Sequence, residues 1–310
     1  MKILVLGAGG IGGYFGGRLA EAGKDVTFLV RNHRKAILER EGLRIASPFG
    51  DAHLQVKTVD QVNPAESYDL ILLTCKAYDL ADAIESITPA VGNNAVVLPL
   101  LNGIAHIEKI QAALGTKHLI AGIAKIQSTV ETDGTVRQFN DWRYLTVGEL
   151  DGSMTDRLAA IQALFTQVKG VEIEAVNDIR RRMWEKLVHL STAAGITCLM
   201  RANIGEIART IFGRAQVIEL LESISTIAAL AGYPMTSEFL QNYREIFTDP
   251  ESAYSTSMLR DIERGGKTEG EHILGYVLRE AITYGINCST LALAYTNVRA
   301  HEERRLTNRA

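Results

Sequence analysis

A glycine turn at the head of the chain, a lysine inside an apolar helical stretch, and a serine and a glutamate farther on have the types and spacing to do chemistry. Gly7, Gly9 and Gly12 fit G-x-G-x-x-G, directly after the apolar run Ile3-Leu4-Val5-Leu6 and before a helical stretch from Tyr14 to Glu21. Each glycine has its own physical task. Gly7 permits a tight turn out of the strand. Gly9, lacking a Cβ, lets the backbone approach a pyrophosphate. Gly12 lets the helix pack closely on the strand. The first-turn amides, those of Gly10 and Ile11 among them, have no partner within the helix and face an anion. The context points to a bound dinucleotide; the bland alternative is a glycine-rich turn that binds nothing.

The residue after the second strand, Asp25 to Val30, distinguishes the dinucleotides. An acid there would hold the ribose 2′-hydroxyl of NAD. This sequence has Arg31, then Asn32, His33, Arg34 and Lys35. An arginine can pair with a 2′-phosphate that a carboxylate would repel, so NADP(H) is expected. Otherwise Arg31 to Lys35 is the solvated start of a helix. Ligands of open α/β sheets sit outside the carboxyl ends of the strands. Lys76 and Asn102 follow the strands Asp69–Thr74 and Ala95–Leu98, where each would meet cofactor or a small polar substrate. Lys76 as a surface charge and Asn102 as a turn residue beside Gly103 stay open.

In the second half, Lys186 lies on a helix whose apolar face includes Met183, Trp184, Leu187, Val188, Leu190 and Ile196. A lysine there must snorkel or be paired, and burial lowers its pKa. Ser257 and Glu269 flank a polar, glycine-containing stretch entering a helix. Their plain roles are a helix cap and an N-terminal carboxylate that complements the dipole.

The elements that must position these residues read as an α/β chain of two domains. Residues 1–177 form a Rossmann-type sheet with an antiparallel extension built from Ile120–Val130, Val136–Phe139 and Tyr144–Val147. A helix from about Thr155 to Val168 and a strand at Val171–Ala175 close it. Residues 178–310 form an all-α domain. Asp178 can cap a long helix from near Ile179, with further helices at about 203–231, 236–247, 269–285 and 289–305. A length of 310 residues suits about two domains. The net charge of −3 gives no reason to expect nucleic acid or an anionic membrane. Cys75, Cys198 and Cys288 are widely spaced, which suits a reducing compartment and argues against a metal site. With no leader expected and no apolar run near the roughly 20 residues that span a bilayer, the cytoplasm is the simplest location. The exposed face of the helical domain is available for a homodimer.

Taken together, these residues resemble the ketopantoate reductase (2-dehydropantoate 2-reductase) family over essentially the whole chain. The resemblance rests on Gly7-x-Gly9-x-x-Gly12, Arg31, the Lys76 segment and Leu101-Asn102-Gly103. It continues through Trp184-x-Lys186-Leu187 and Ser257-Met258-Leu259-x-Asp261, with Glu269 beyond. It implies that NADPH delivers hydride to the keto carbon of a 2-oxo acid, as in the reduction of 2-dehydropantoate to pantoate in pantothenate and coenzyme A biosynthesis. By the same resemblance, Lys186 is the catalytic lysine that hydrogen-bonds the carbonyl and protonates the alkoxide, and Glu269 is its acidic partner. Asn102 and Ser257 hold the substrate, and Arg31 and Lys76 serve the adenosine end.

One set of residues departs from the family pattern. The asparagines that usually follow the lysine by four and eight residues, on the same helical face, are Leu190 and Ala194 here. A third is Ile204, with Asn203 one position earlier. A hydroxylated substrate would lose roughly 1–3 kcal/mol for each missing partner. His189 and Ser191 lie off the lysine's stripe, and His189 is expected to be structural. Two alternatives follow: a reductase of the same family acting on a more apolar 2-oxo acid or ketone, and a non-enzymatic NADP-binding regulator. The regulator would need neither Lys186 nor Glu269.

Overall fold

Strand β1 (Lys2–Leu6) buries Ile3, Leu4 and Val5 completely, as a strand covered on both faces must. It begins a computed structural model that describes residues 1–307; the last three positions of the expected 178–310 domain lie outside the described residues. The chain divides into two units. One holds Met1–Leu101 and His106–Arg180, the other Asn102–Ala105 and the residues from Arg181 onward.

In the first unit, β1 is followed by α1 (Gly10–Glu21), β2 (Asp25–Leu29), α2 (Asn32–Glu41), β3 (Leu43–Ala46), β4 (Ala52–Leu54), β5 (Lys57–Val59), β6 (Leu70–Leu73), α3 (Leu80–Ile87), β7 (Val96–Pro99) and α4 (His106–Leu114). The main sheet is parallel, in the order β5-β2-β1-β6-β7. The order reverses direction at β1, so the crevice at the carboxyl ends of β1 and β6 is the topological switch point where such sheets bind ligands. All four residues of β6 and of β7 are buried. Strand β5 was not expected: it is short and only partly buried, and its pairing along β2 leaves no hydrophobic pattern of its own.

The sheet continues past β7 through a parallel bridge between Val97 and Leu119. There, β8 (Ala121–Lys125) runs antiparallel to β11 (Tyr144–Gly148), and β12 (Glu172–Ala175) runs parallel to β11. Helix α5 (Asp156–Phe165) starts after Thr155, whose hydroxyl accepts from the Leu158 N–H at 3.3 Å. The antiparallel extension is therefore present, with one correction. The stretch at Val136 leaves it, and so does Ser128–Val130, the end of the expected Ile120–Val130 segment. Strand β10 (Val136–Gln138) pairs with β3 and with β9 (Ser128–Val130) in a separate four-stranded sheet, β4-β3-β10-β9. Its seat is α1, where a Cβ on Gly13 would come within 2.7 Å of the Val136 side chain. Alternation along β10 shows a strand but not which sheet receives it.

The described part of the second unit contains no strand. Its helices are α6 (Ile179–Met200), α7 (Ile204–Ala208), α8 (Gly213–Leu230), α9 (Ser237–Thr248), α10 (Ser257–Glu263), α11 (Tyr276–Thr283) and α12 (Ser289–Leu306). A π-helical turn, Glu271–Gly275, leads into α11. The single helix expected at 203–231 is two. Gly213 turns the chain so tightly that a Cβ there would collide with the Ile207 carbonyl. Leu220, Leu221 and Ile224 of α8 sit fully buried in the core with Leu187, Val188 and Ile196 of α6, and Leu274, Leu291 and Val298. No helix of the described residues is long and apolar enough to cross a membrane.

Candidate active site

In the first unit, the glycine turn has a shape that each residue type explains. Gly7 has φ +94°, a conformation L side chains rarely adopt. A Cβ on Gly12 would collide with the Gly7 carbonyl and Thr74 Oγ1, so helix and strand meet there without side-chain spacing. Thr74 Oγ1 also donates to the Leu6 carbonyl at 2.7 Å, tying the ends of β1 and β6. Gly9 is the N-cap of α1, and a Cβ on it would meet nothing within 4 Å. No side chain caps this helix and its first turn carries no acid. Its leading amides, on Gly10 and Ile11, thus suit a pyrophosphate.

Arg31 and Lys76 are both exposed and follow β2 and β6, the two strands that flank β1. Arg31 is the residue just before α2, and Lys76 heads a 3-10 turn, Ala77–Asp79. Arg31 Nη2 donates to Asp79 Oδ2 at 3.2 Å.

The second unit gathers three of the expected residues. Lys186 on α6 is part-buried, and its ammonium is desolvated. Burial lowers its pKa from the usual 10.5 to about 8, while the charge of Glu269 acts in the opposite sense. Glu269 is 5% exposed, and Asn102 Nδ2 donates to its Oε2 at 3.3 Å. Gly103 makes that approach feasible: it has φ +84°, and a Cβ on it would come within 2.8 Å of the His272 carbonyl. Asn102 is thus more than a turn residue, and Glu269 more than a carboxylate at a helix start.

The segment bearing Glu269 is held by residues that sequence reasoning missed. Glu302 Oε1 accepts from the Thr268 N–H at 2.7 Å and its hydroxyl at 2.8 Å. His301 Nε2 donates to the Gly266 carbonyl at 2.9 Å. These partners come from α12, and no local pattern links them to Glu269. Ser257 is exposed at the start of α10, and the cap expected of it is Thr256, whose hydroxyl accepts from the Leu259 N–H at 3.2 Å.

The neighbours of Lys186 on α6 are less polar. Leu190 packs at the margin of the helical core, and Ala194 and Ile204 are buried within it. Asn203 does not substitute for an asparagine at 204, because it caps α7. Its Oδ1 accepts from the Glu206 N–H at 2.8 Å, and Glu206 Oε2 accepts from the Asn203 N–H at 2.9 Å. His189 is engaged too: its Nδ1 and Nε2 lie 2.9 and 2.8 Å from the hydroxyls of Tyr243 and Tyr254.

Two family models match the chain. The model described as ketopantoate reductase PanE/ApbA matches residues 3–152, and the one for its C-terminal part matches residues 178–302. The chain belongs to the ketopantoate reductase family. Within and around that family, it is 33% identical over 302 residues to the uncharacterized oxidoreductase YkpB of Bacillus subtilis, covering 97% of this chain and 99% of that one. It is 28% identical over 312 residues to a 2-dehydropantoate 2-reductase of Nostoc, covering 99% and 97%. The crystal structure of a PanE/ApbA family ketopantoate reductase from Ralstonia eutropha matches with a TM-score of 0.89 and 25% identity, covering 99% of this chain and 100% of that chain.

Proposed function

We propose that this ketopantoate reductase family member reduces a 2-oxo acid to the 2-hydroxy acid with NADPH. The observation that carries the reading is Lys186, held near pKa 8 by burial, with the charge of Glu269 acting on it and Asn102 donating to that Glu269. A carbonyl oxygen gaining negative charge is best met by a cation that can also give up a proton. Lys186 does both: its ammonium hydrogen-bonds the keto oxygen and protonates the alkoxide. Glu269 keeps that ammonium oriented, and Asn102 and Ser257 hold the substrate. Residues 1–177 are the nucleotide domain, with Gly7, Gly9, Gly10, Ile11 and Gly12 at the pyrophosphate and Arg31 and Lys76 at the 2′-phosphate. Residues 178–310, joined by Asn102, are the catalytic domain. When bound, the nicotinamide supplies the hydride.

The first substrate in this reading is 2-dehydropantoate, which the Nostoc relative's name supports. A second reading is a more apolar 2-oxo acid or ketone. It is favoured by Leu190 and Ala194, which follow Lys186 along α6, and by Ile204 at the start of α7, whose side chains offer no hydrogen bond. The test is NADPH oxidation with a panel of 2-oxo acids that includes 2-dehydropantoate and apolar branched or aromatic members. Turnover of 2-dehydropantoate at a kcat/KM at or above that of the others supports the first reading. A kcat/KM ten or more times higher for apolar acids supports the second. No turnover of any member, with NADPH still bound, sinks both and leaves a regulator.

The pH profile follows from the direction of the Lys186 shift. A proton donor must be charged, so reduction proceeds below its pKa and fails above it. We expect kcat/KM for reduction to be level near neutrality and to fall about tenfold per pH unit above about 8. A profile still level at pH 9.5 would remove Lys186 as the donor.

A further inference from the structure

We propose that Asp79 sets how strongly the chain prefers a 2′-phosphorylated dinucleotide, by holding Arg31 in an ion pair that the phosphate must displace. The inference rests on the reading of Arg31 as the phosphate contact.

Strand order supplies the geometry. β2 and β6 lie on either side of β1, and the glycine turn leaves the carboxyl end of β1. Arg31 comes from the end of β2 and Asp79 from the turn beyond β6. Their pair therefore joins the two strand ends that flank the glycine turn. The contact is a single one, Nη2 to Oδ2 at 3.2 Å, with 80% of the Arg31 side chain and 32% of the Asp79 side chain exposed. A monodentate pair in water exchanges readily. Its two halves differ in mobility. Asp79 sits on a short turn closed by its own N–H to the Lys76 carbonyl at 2.9 Å, directly before α3. Arg31 is a long side chain with most of its surface in solvent.

A dianionic 2′-phosphate arriving at Arg31 therefore meets a fixed carboxylate already paired with it. It must take the guanidinium away, and it then sits beside a carboxylate that has lost its Arg31 partner. A 2′-hydroxyl brings no charge and has no reason to break the pair. Asp79 thus lowers affinity for the phosphorylated cofactor selectively.

The test measures NADPH and NADH dissociation constants by cofactor fluorescence for the parent, Asp79→Asn, Arg31→Ala and the double variant, in low salt. We expect Asp79→Asn to tighten NADPH about fivefold and to leave NADH within twofold, the scale of an exposed pair plus the relieved repulsion. In the Arg31→Ala background the Asp79 effect should fall below twofold. Weaker NADPH binding by Asp79→Asn would mean that Asp79 orients Arg31 for the phosphate, and would overturn the proposal. Equal changes for both cofactors, or none, would overturn it as well. Arg31→Ala alone tests the underlying reading: an unchanged NADPH-to-NADH ratio in that variant removes Arg31 from the phosphate, whatever Asp79→Asn does.

Discussion

Lys186→Ala is expected to lower kcat for 2-oxo acid reduction by about a thousandfold or more, with NADPH affinity changed by less than about threefold. A general acid contributes roughly 10²–10⁴ in rate, and the same ammonium stabilises the developing alkoxide, so the two losses fall together. Cofactor affinity should survive because the glycine turn and Arg31 belong to the other unit. Single-turnover rates and a fluorescence titration of NADPH separate the two quantities. Turnover within tenfold of the parent would remove the lysine from the mechanism.

The same residue makes an independent prediction about stability. Its folded pKa is lowered to about 8 from 10.5, so between those values the unfolded chain binds more protons than the folded one. Stability therefore rises with pH across that window, and below it the desolvated charge opposes folding. Lys186→Met should be at least as stable as the parent at pH 7, and its advantage should shrink between pH 8 and 10.5. Thermal midpoints at several pH values check this. An inactive variant that is also markedly less stable at pH 7 would point to a structural lysine.

Arg31→Asp is expected to weaken NADPH relative to NADH by about a hundredfold. A charge-assisted hydrogen bond is worth roughly 1.5–3 kcal/mol, and reversing the charge adds repulsion. A hundredfold corresponds to about 2.7 kcal/mol. The new carboxylate would also face Asp79, leaving two negative charges where the phosphate is to bind. Arg31 is exposed, so the fold should not change. The ratio of the two dissociation constants is the measurement. An unchanged ratio would place the 2′-phosphate elsewhere.

The legible parts of this protein were those whose causes are local. Gly7, Gly9 and Gly12 announced a strand, a turn and a helix because each conformational demand acts within a few residues of the glycine that meets it. The buried strands of the main sheet read as continuous apolar runs, and α6 read as a helix because its apolar residues recur at helical spacing. Lys186 stood out for the same reason: a charge inside such a pattern is conspicuous. The reading of His189 as structural also follows from where α6 points it.

Other features could not be read locally. Val136–Gln138 is a strand in either sheet; the glycine face of α1 decides which one takes it. Ser257 and Thr256 are adjacent and both suit a cap, and only the backbone path into α10 separates them. Asn203 looks like a displaced substrate contact until Glu206 closes a capping box with it. Asp79 looks like an ordinary acid before a helix until strand order brings it to Arg31.

The sequence by itself determined the α/β-then-α order, the strand–glycine turn–helix at its head and the lysine on an apolar helix, because spacing along a strand or helix dictates which face a side chain occupies. Only the tertiary structure decided that Asn102 and Glu269 meet, that Glu302 anchors the segment beside Glu269, and that Lys186 is desolvated enough to bring its pKa near 8. Hydrogen bonds and desolvation depend on atoms within a few ångströms in space, and in this chain those atoms lie far apart in sequence.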